Sequence, residues 1–426
     1  MDFFGTHLSD AHLFDDAPLP EDAPGTGAAG TGTADWEPWL AYAQRLSDAG
    51  DPRGAAIRLE HRCGTAGGTD QDREQLAAVY REVERRLGLG ALREDGSWRF
   101  TWSRGFLDEA CFRLAGDTRA QRGELVGRLR AECPAPAAGP EGPDPADPEQ
   151  WEGALIGALL AHPAARRLRV LELHLTDYHR SAEPAARAVA ARPFPRLEHL
   201  YFGYGFEFLY EDGTASTGRR LDPLEHHDRG LVQTAMWGSL PALRTLELEG
   251  AFLFHSVDHD GLTRLRVRGP AVSDGSVFAL GRLPGLASLE VDFGCDVFGV
   301  DCPVEQLDEL AAAPYPALRH LDLGRVEFDA PSVEVLSALA DSPVLAGLES
   351  LALRELAVGG SDDLEDPRAA LAELAPRFAH LTLRVDGPIA VEGTAEDVDR
   401  LLARFGLCRG AAAEDRGSAP GTGRTA

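Results

Sequence analysis

Seven residues of the kinds that hold metals or move protons fall inside one short window: His226, His227, Asp228, His255, Asp258, His259 and Asp260. Neutral imidazoles and carboxylates are the usual ligands of zinc and related ions. The window therefore reads either as a metal-dependent hydrolytic site or as a stretch of solvated surface groups. Its spacing matches no HExxH string or relative of one. Cysteine is the other reactive type. Six occur, at 63, 111, 133, 295, 302 and 408, with no CxxC, and only Cys295 and Cys302 are close together. Reduced thiols are the expectation, and no metal or cofactor is assigned.

Other chemistries are excluded by absent residue types. All 42 basic residues are Arg, and the 426-residue chain has neither Lys nor Asn. A P-loop lysine, a Schiff-base lysine and a Cys-His-Asn triad are each impossible without them. No GxSxG string occurs, and the GTG of the N-terminal segment lacks the strand and helix that give a phosphate loop meaning. The formal net charge of −27 argues against nucleic acid or an anionic membrane as partner, because both select for surplus basic residues. The first 35 residues carry seven acids and no Arg, unlike a signal peptide. No run reaches 18 apolar residues, so a cytoplasmic protein is expected, and the missing catalytic motifs make a non-enzymatic one the expectation.

The segments that must position any site follow from composition and periodicity. Residues 1–35, rich in Gly, Ala, Pro and Asp, read as a disordered acidic tail. Trp39, Leu40, Ala43 and Leu46 lie at helical spacing, and Gly50 is placed to stop that helix. Asp51 then stands where an N-cap belongs, with Pro52 at the first helical position. A third helix is predicted over Thr69–Leu87. SWRFTWSRGFLDEACFRL reads as a strand or hairpin. Six prolines between Pro134 and Pro148 mark residues 132–149 as a linker or extended loop. The expected division is thus 36–131, 132–149 and 150–408, with a second disordered tail over 409–426.

Internal repetition organises the rest. The string L-x-x-L-x-L, allowing Val or Phe, recurs eight times, beginning at Leu168, Leu197, Leu243, Leu262, Leu286, Leu318, Leu348 and Phe378. The last three spacings are 32, 30 and 30, with helix-like stretches such as SVEVLSALAD between the copies. A strand alternates faces, so the leucines of each copy enter one core. Burying three of them contributes about 1.5 to 3 kcal/mol each, whereas ordering a repeat costs about 1.5 kcal/mol per residue. One unit cannot fold alone. Stacking of neighbours predicts an α/β solenoid with a parallel sheet on its concave side and helices on its convex side. An ordinary α/β domain with Leu-rich strands is the competing architecture.

These residues resemble the leucine-rich repeats, in particular the helix-bearing ribonuclease-inhibitor-like branch. Independently, LAYAQRLSDAGDPRGAAIRLEHR and the later RGFLDEACFRL resemble the repeat-companion module found ahead of many bacterial leucine-rich-repeat domains. The matching positions are Tyr42, Gly50, Asp51, Pro52, Arg53, Gly54, Ile57, Arg58, Leu59, Arg104, Gly105 and Phe106. Together the two matches span roughly residues 36 to 390. The resemblance implies a horseshoe capped by a small helical module and a role in protein binding. One departure stands out: where the family often has a ladder of Asn, Cys or Thr after the strand, this chain has Thr176, Gly205, Ala251, Pro270, Gly294, Val326, Leu356 and Asp386.

With the leucines inward, three rows face the concave side. The first holds His199, Arg264, His320 and His380; the second Glu172, Tyr201, Glu247, Arg266, Glu290 and Asp322. The third holds His174, Glu249, Arg268, Asp292, Arg354 and Arg384. Acids dominate the first two thirds of the path, which predicts a docking face for a protein or peptide, possibly basic. A solvated face with no partner is the alternative. An insertion adds Tyr204, Phe206, Phe208 and Tyr210, either an exposed aromatic ribbon or a cover for the sheet. Arg53 and Arg58 of the companion segment either meet a partner, pair with acids across the helices or hold the module against the first coil.

Overall fold

The computed structural model describes residues 36–65, 67–86, 93, 98–113, 151–161, 163–175, 182–204, 232, 234–250, 253–269, 272, 276–293, 301–313, 315–358, 366–391 and 394–407. It begins with α1 (Glu37–Asp48), α2 (Arg53–Cys63) and α3 (Asp70–Arg86), then the hairpin β1 (Trp98–Ser103) and β2 (Phe106–Arg113). Next come α4 (Trp151–Ala161), a 3-10 turn (Pro163–Arg167), β3 (Val170–Leu175), α5 (Glu183–Ala190), β4 (His199–Tyr204), β5 (Thr245–Glu249), β6 (Arg264–Arg268) and β7 (Ser288–Phe293). The chain continues through α6 (Gln306–Ala312), β8 (His320–Val326), α7 (Ser332–Asp341), β9 (Ser350–Leu353), β10 (Leu356–Val358), α8 (Pro367–Phe378), β11 (Thr382–Val385), β12 (Ile389–Val391) and α9 (Ala395–Arg404).

The fold is α/β. A ten-stranded sheet runs β1 to β9 in chain order and ends on β11, parallel except for the antiparallel β1–β2 hairpin. Each of the eight repeat strings falls in, or at the start of, one strand. Leu171, Leu200, Leu246, Leu265, Leu289, Leu321 and Leu351 pair in one continuous row. They share a single apolar core with Leu159, Val189, Leu310, Leu336, Leu339 and Phe378 from the helices. At the seams from β3 to β9 one carbonyl serves two amides of the next strand: Arg169 O accepts from Glu198 N–H and His199 N–H, and Arg244 O from Thr263 N–H and Arg264 N–H.

Not every repeat carries the expected helix. Among the described residues no α-helix lies between β5 and β7, where repeat spacings of 19 and 24 leave too few residues for one. Bridges do the work there. Val232, Phe254 and Val272 pair in a second parallel row, continued by Cys302 with Phe328 and by β10 with β12. Backbone bonds such as Val232 N–H to Leu253 O (2.7 Å) and Cys302 N–H to Glu327 O (2.6 Å) thus close turns that lack the side-chain ladder.

The eighth strand corrects the expected register. Leu383 pairs with Leu351 and Val385 with Leu353, so β11 is slipped by two residues from the string Phe378/Leu381/Leu383. Phe378 belongs to the end of α8, and the turn after that helix uses the two extra residues. β8 is also irregular, placing Arg325 rather than Gly324 beside Asp292.

The N-terminal helices build a smaller core from Trp39, Tyr42, Ala43, Leu46, Ile57 and Phe106. The RG turn joins it to the sheet. Arg104 and Gly105 both have positive φ, 51° and 79°, as a two-residue hairpin turn with right-handed strand twist requires. Glu60 from α2 accepts from Arg104 N–H (2.7 Å) and Tyr80 Oη–H (2.8 Å). The Trp39 ring lies between the guanidiniums of Arg104 and Arg167, each 5.0 Å from its centre. The acidic and Pro-rich segments at 1–35, 132–149 and 409–426 lie outside the described residues. Among the described residues no helix is long and apolar enough to cross a membrane.

Candidate functional site

Strand alternation turns one face of the sheet into aligned polar rows, and pairing shows which residues are neighbours. The central row reads Arg99, Cys111, Glu172, Tyr201, Glu247, Arg266, Glu290, Asp322, Ala352 and Arg384. The row beyond it reads Arg113, His174, Gly203, Glu249, Arg268, Asp292 and Arg325. These side chains are mostly half-buried among the described residues.

The expected acidic wall is largely compensated from within. Arg266 reaches Glu247 Oε2 (3.3 Å) on one side and Glu290 Oε1 (3.1 Å) on the other. Arg268 lies 3.1 Å from Glu249 and 3.6 Å from Asp292, and Arg325 adds a contact of 3.4 Å to Asp292. Arg384 Nη2 stands 2.7 Å from Asp322 Oδ2. Opposite charges on neighbouring strands attract at such short range, so the face mixes both signs and is not a field of one, although Glu290 and Asp322 stand side by side and Arg384 reaches Asp322 past Ala352. Asp292 is buried within it.

The polar rows perturb their own acids. His199 Nε2, 3.0 Å from Glu247 Oε1, is the main reason the Glu247 carboxyl titrates below the usual range, with Arg266 adding to it. The hydrogen bond from His174 pulls Glu172 down to about 2, with Cys111 and Arg99 helping. Burial, reinforced by Glu249, pushes the Tyr201 phenol up, and its Oη–H donates to Glu249 Oε2 at 2.6 Å. Cys111 is pushed up to about 11, chiefly by burial.

Several anticipated residues lie elsewhere. His380 precedes β11 and donates from Nε2 to Leu345 O (3.0 Å), so Thr382 takes its place in the first row and Arg384 moves into the second. Arg354 pairs with Glu327 at 2.7 Å, after the end of β9. His320 Nδ1 meets Ser350 Oγ at 2.9 Å on the first row. Tyr204 is no part of an exposed ribbon: it is the last residue of β4, pairs with Leu175 and is 1% exposed in the core. Phe206, Phe208 and Tyr210 lie outside the described residues.

The His/Asp window divides in the same way. His226, His227 and Asp228 fall outside the described residues. His259 is buried, and both ring nitrogens are engaged: Nε2–H donates to Leu240 O (2.9 Å) while Nδ1 accepts from Gly261 N–H (3.1 Å). Asp258 accepts from Arg282 N–H (2.8 Å) and Ser256 Oγ–H (2.9 Å), and Asp260 pairs with Arg282 (2.6 Å). These groups knit adjacent turns together.

Beside the N-terminal helices Arg53 and Asp51 pair with each other, and the Arg53 guanidinium lies 5.3 Å from the centre of the Phe106 ring. Arg58 bonds Ser47 of α1. Sequence reasoning passed over Cys111, whose strand opens the ladder ahead of the first repeat string. Its signal was the alternation of FLDEACFR, which puts Cys111 on the face opposite Ala110 and Phe112. Family models and curated proteins give no match to this chain.

Proposed function

We propose that this chain is a leucine-rich-repeat protein of the ribonuclease-inhibitor-like kind, capped by a repeat-companion module, and that it docks a protein partner on its polar sheet face. The observation that carries this reading is the coincidence of seven L-x-x-L-x-L strings with seven adjacent parallel strands, an eighth meeting its strand two residues out of register, which leaves three rows of polar side chains without a covering layer among the described residues. Stacked units of this kind make extended binding surfaces. The polar face of the solenoid is the recognition surface, and binding is its activity.

A partner with basic side chains fits the chemistry best. The chain carries a net charge of −27, and Glu172, Glu290 and Asp322 remain at least one third exposed on the face. Incoming guanidinium or ammonium groups exchange with Arg266 and Arg384 for the same carboxylates, so the internal pairs favour a partner that matches their spacing over any loose polycation.

The test is quantitative capture of basic partners by the full chain and by the Glu247→Gln, Glu290→Gln, Asp322→Asn triple variant, with folding checked by circular dichroism. Weaker capture by the variant, with a flatter salt dependence, supports the reading. Identical capture and salt dependence overturn it.

A further inference from the structure

We propose that Cys111, Glu172 and His174 bind a single divalent transition-metal ion of the zinc class. The thiol, carboxylate and imidazole come from two adjacent strands, Cys111 opposite Glu172 in the parallel ladder and His174 two residues on along the same face. Their ligand atoms all lie within 4.8 Å of one another. Donors about 2.05 Å from a tetrahedral zinc stand about 3.4 Å apart, with sulfur slightly farther. His174 Nε2 and Glu172 Oε2 are 3.5 Å apart. The His174–Glu172 pair therefore already stands at the spacing of two ligands of one ion.

The neighbours hold it there. The Tyr201 ring stacks on His174 with centres 4.3 Å apart, and Tyr201 is itself tied to Glu249 through its hydroxyl. Donor type sets the metal class. One sulfur, one nitrogen and one oxygen suit zinc, cobalt or nickel and do not suit magnesium or calcium, which demand oxygen shells. Three protein ligands leave a fourth position open toward solvent.

Arg99 brings its positive charge to two of the three ligands. Its Nη2 lies 3.2 Å from Cys111 Sγ and 3.5 Å from Glu172 Oε2, but its side chain is 77% exposed and can swing away. Arg99 therefore competes with the metal. A polar cluster with a merely structural role, in which Arg99 and His174 offset the Glu172 charge, predicts no such competition.

The experiment uses the full chain freed of metal by chelation, titrated with cobalt(II) and, separately, with zinc. The expected result is one ion per chain, a near-ultraviolet thiolate-to-cobalt charge-transfer band, and intense visible bands of tetrahedral cobalt. Cys111→Ser abolishes the charge-transfer band, and His174→Ala weakens zinc binding at least about tenfold. Arg99→Ala strengthens zinc binding by about tenfold, a gain that misfolding cannot mimic. Cobalt binding without the thiolate band, or zinc affinity unchanged in Cys111→Ser and His174→Ala, overturns the assignment.

Discussion

Arg53 Nη2 stands 2.6 Å from Asp51 Oδ2, with both side chains only 2% exposed. The same carboxylate takes a second bond from Arg53 Nε (2.8 Å), and its other oxygen accepts from the N–H of Arg53 (2.9 Å), the first residue of α2, whose N-cap position is held by Pro52 and not by the expected Asp51. The residue pair at the centre of the GDPRG turn is thus a buried fork, packed beneath Phe106 of the RGF strand. Asp51→Ala leaves a buried guanidinium without its carboxylate and is expected to cost about 3 to 5 kcal/mol. Urea denaturation followed by tryptophan fluorescence measures it; a loss below about 1 kcal/mol contradicts the account.

Gly54 explains the glycine that follows. A Cβ there would meet Ala43 O and Ser47 Oγ and lie 2.9 Å from Ser47 N, all on α1. Backbone cannot move aside as a side-chain tip can. Gly54→Ala should force α1 and α2 apart and destabilise by about 1 to 3 kcal/mol. Equal thermal midpoints for parent and variant would show that the helices have slack.

His259 bridges the carbonyl of Leu240 and the amide of Gly261. Replacing it with Ala leaves both groups buried or half-buried without this partner, a loss of about 1 to 3 kcal/mol each before water intrudes. The expectation is a lower melting temperature with unchanged metal content by elemental analysis. Loss of a bound metal in His259→Ala would instead revive the metal-site reading of the 226–260 window.

Glu247 ties stability to pH. Its folded pKa is depressed, first by His199 and then by Arg266. Such a carboxylate adds stability above its unfolded pKa of about 4.3, and the gain disappears as pH falls through the lower folded value. Glu247→Gln should therefore be less stable than the parent near about pH 6, with the difference closing toward about pH 3. A difference that stays constant across that range would refute the linkage.

The slipped register of β11 makes its own prediction. Val385 is buried while Leu381 is only partly so. Val385→Asp should destabilise by more than about 2 kcal/mol by burying an unpaired carboxylate, and Leu381→Asp by clearly less. The reverse order would restore the register read from the repeat string.

Much of the architecture was legible from residue order. Leucine recurring at fixed offsets has one economical use, a shared core between strands, and seven of the eight strings set the observed pairing. The hairpin at Arg104–Gly105, the helix starting beside Asp51 and the third helix ending near Arg86 likewise follow from short-range rules, because turns and caps depend on nearby backbone alone.

Pairing across strands is another matter. A slip of two residues keeps every side chain on its own face, so alternation cannot tell Leu381/Leu383 from Leu383/Val385, and only contact with β9 selects the latter. Charge compensation is equally hidden: Glu247 and Arg266 are 19 positions apart in the chain, yet adjacent strands bring them together and turn an acidic count into a face of both signs. Cys111 and His174, separated by an entire unit, meet for the same reason. Local chemistry chooses strand, turn and helix; which side chains share a volume is settled by the sheet, where distance in sequence carries no information.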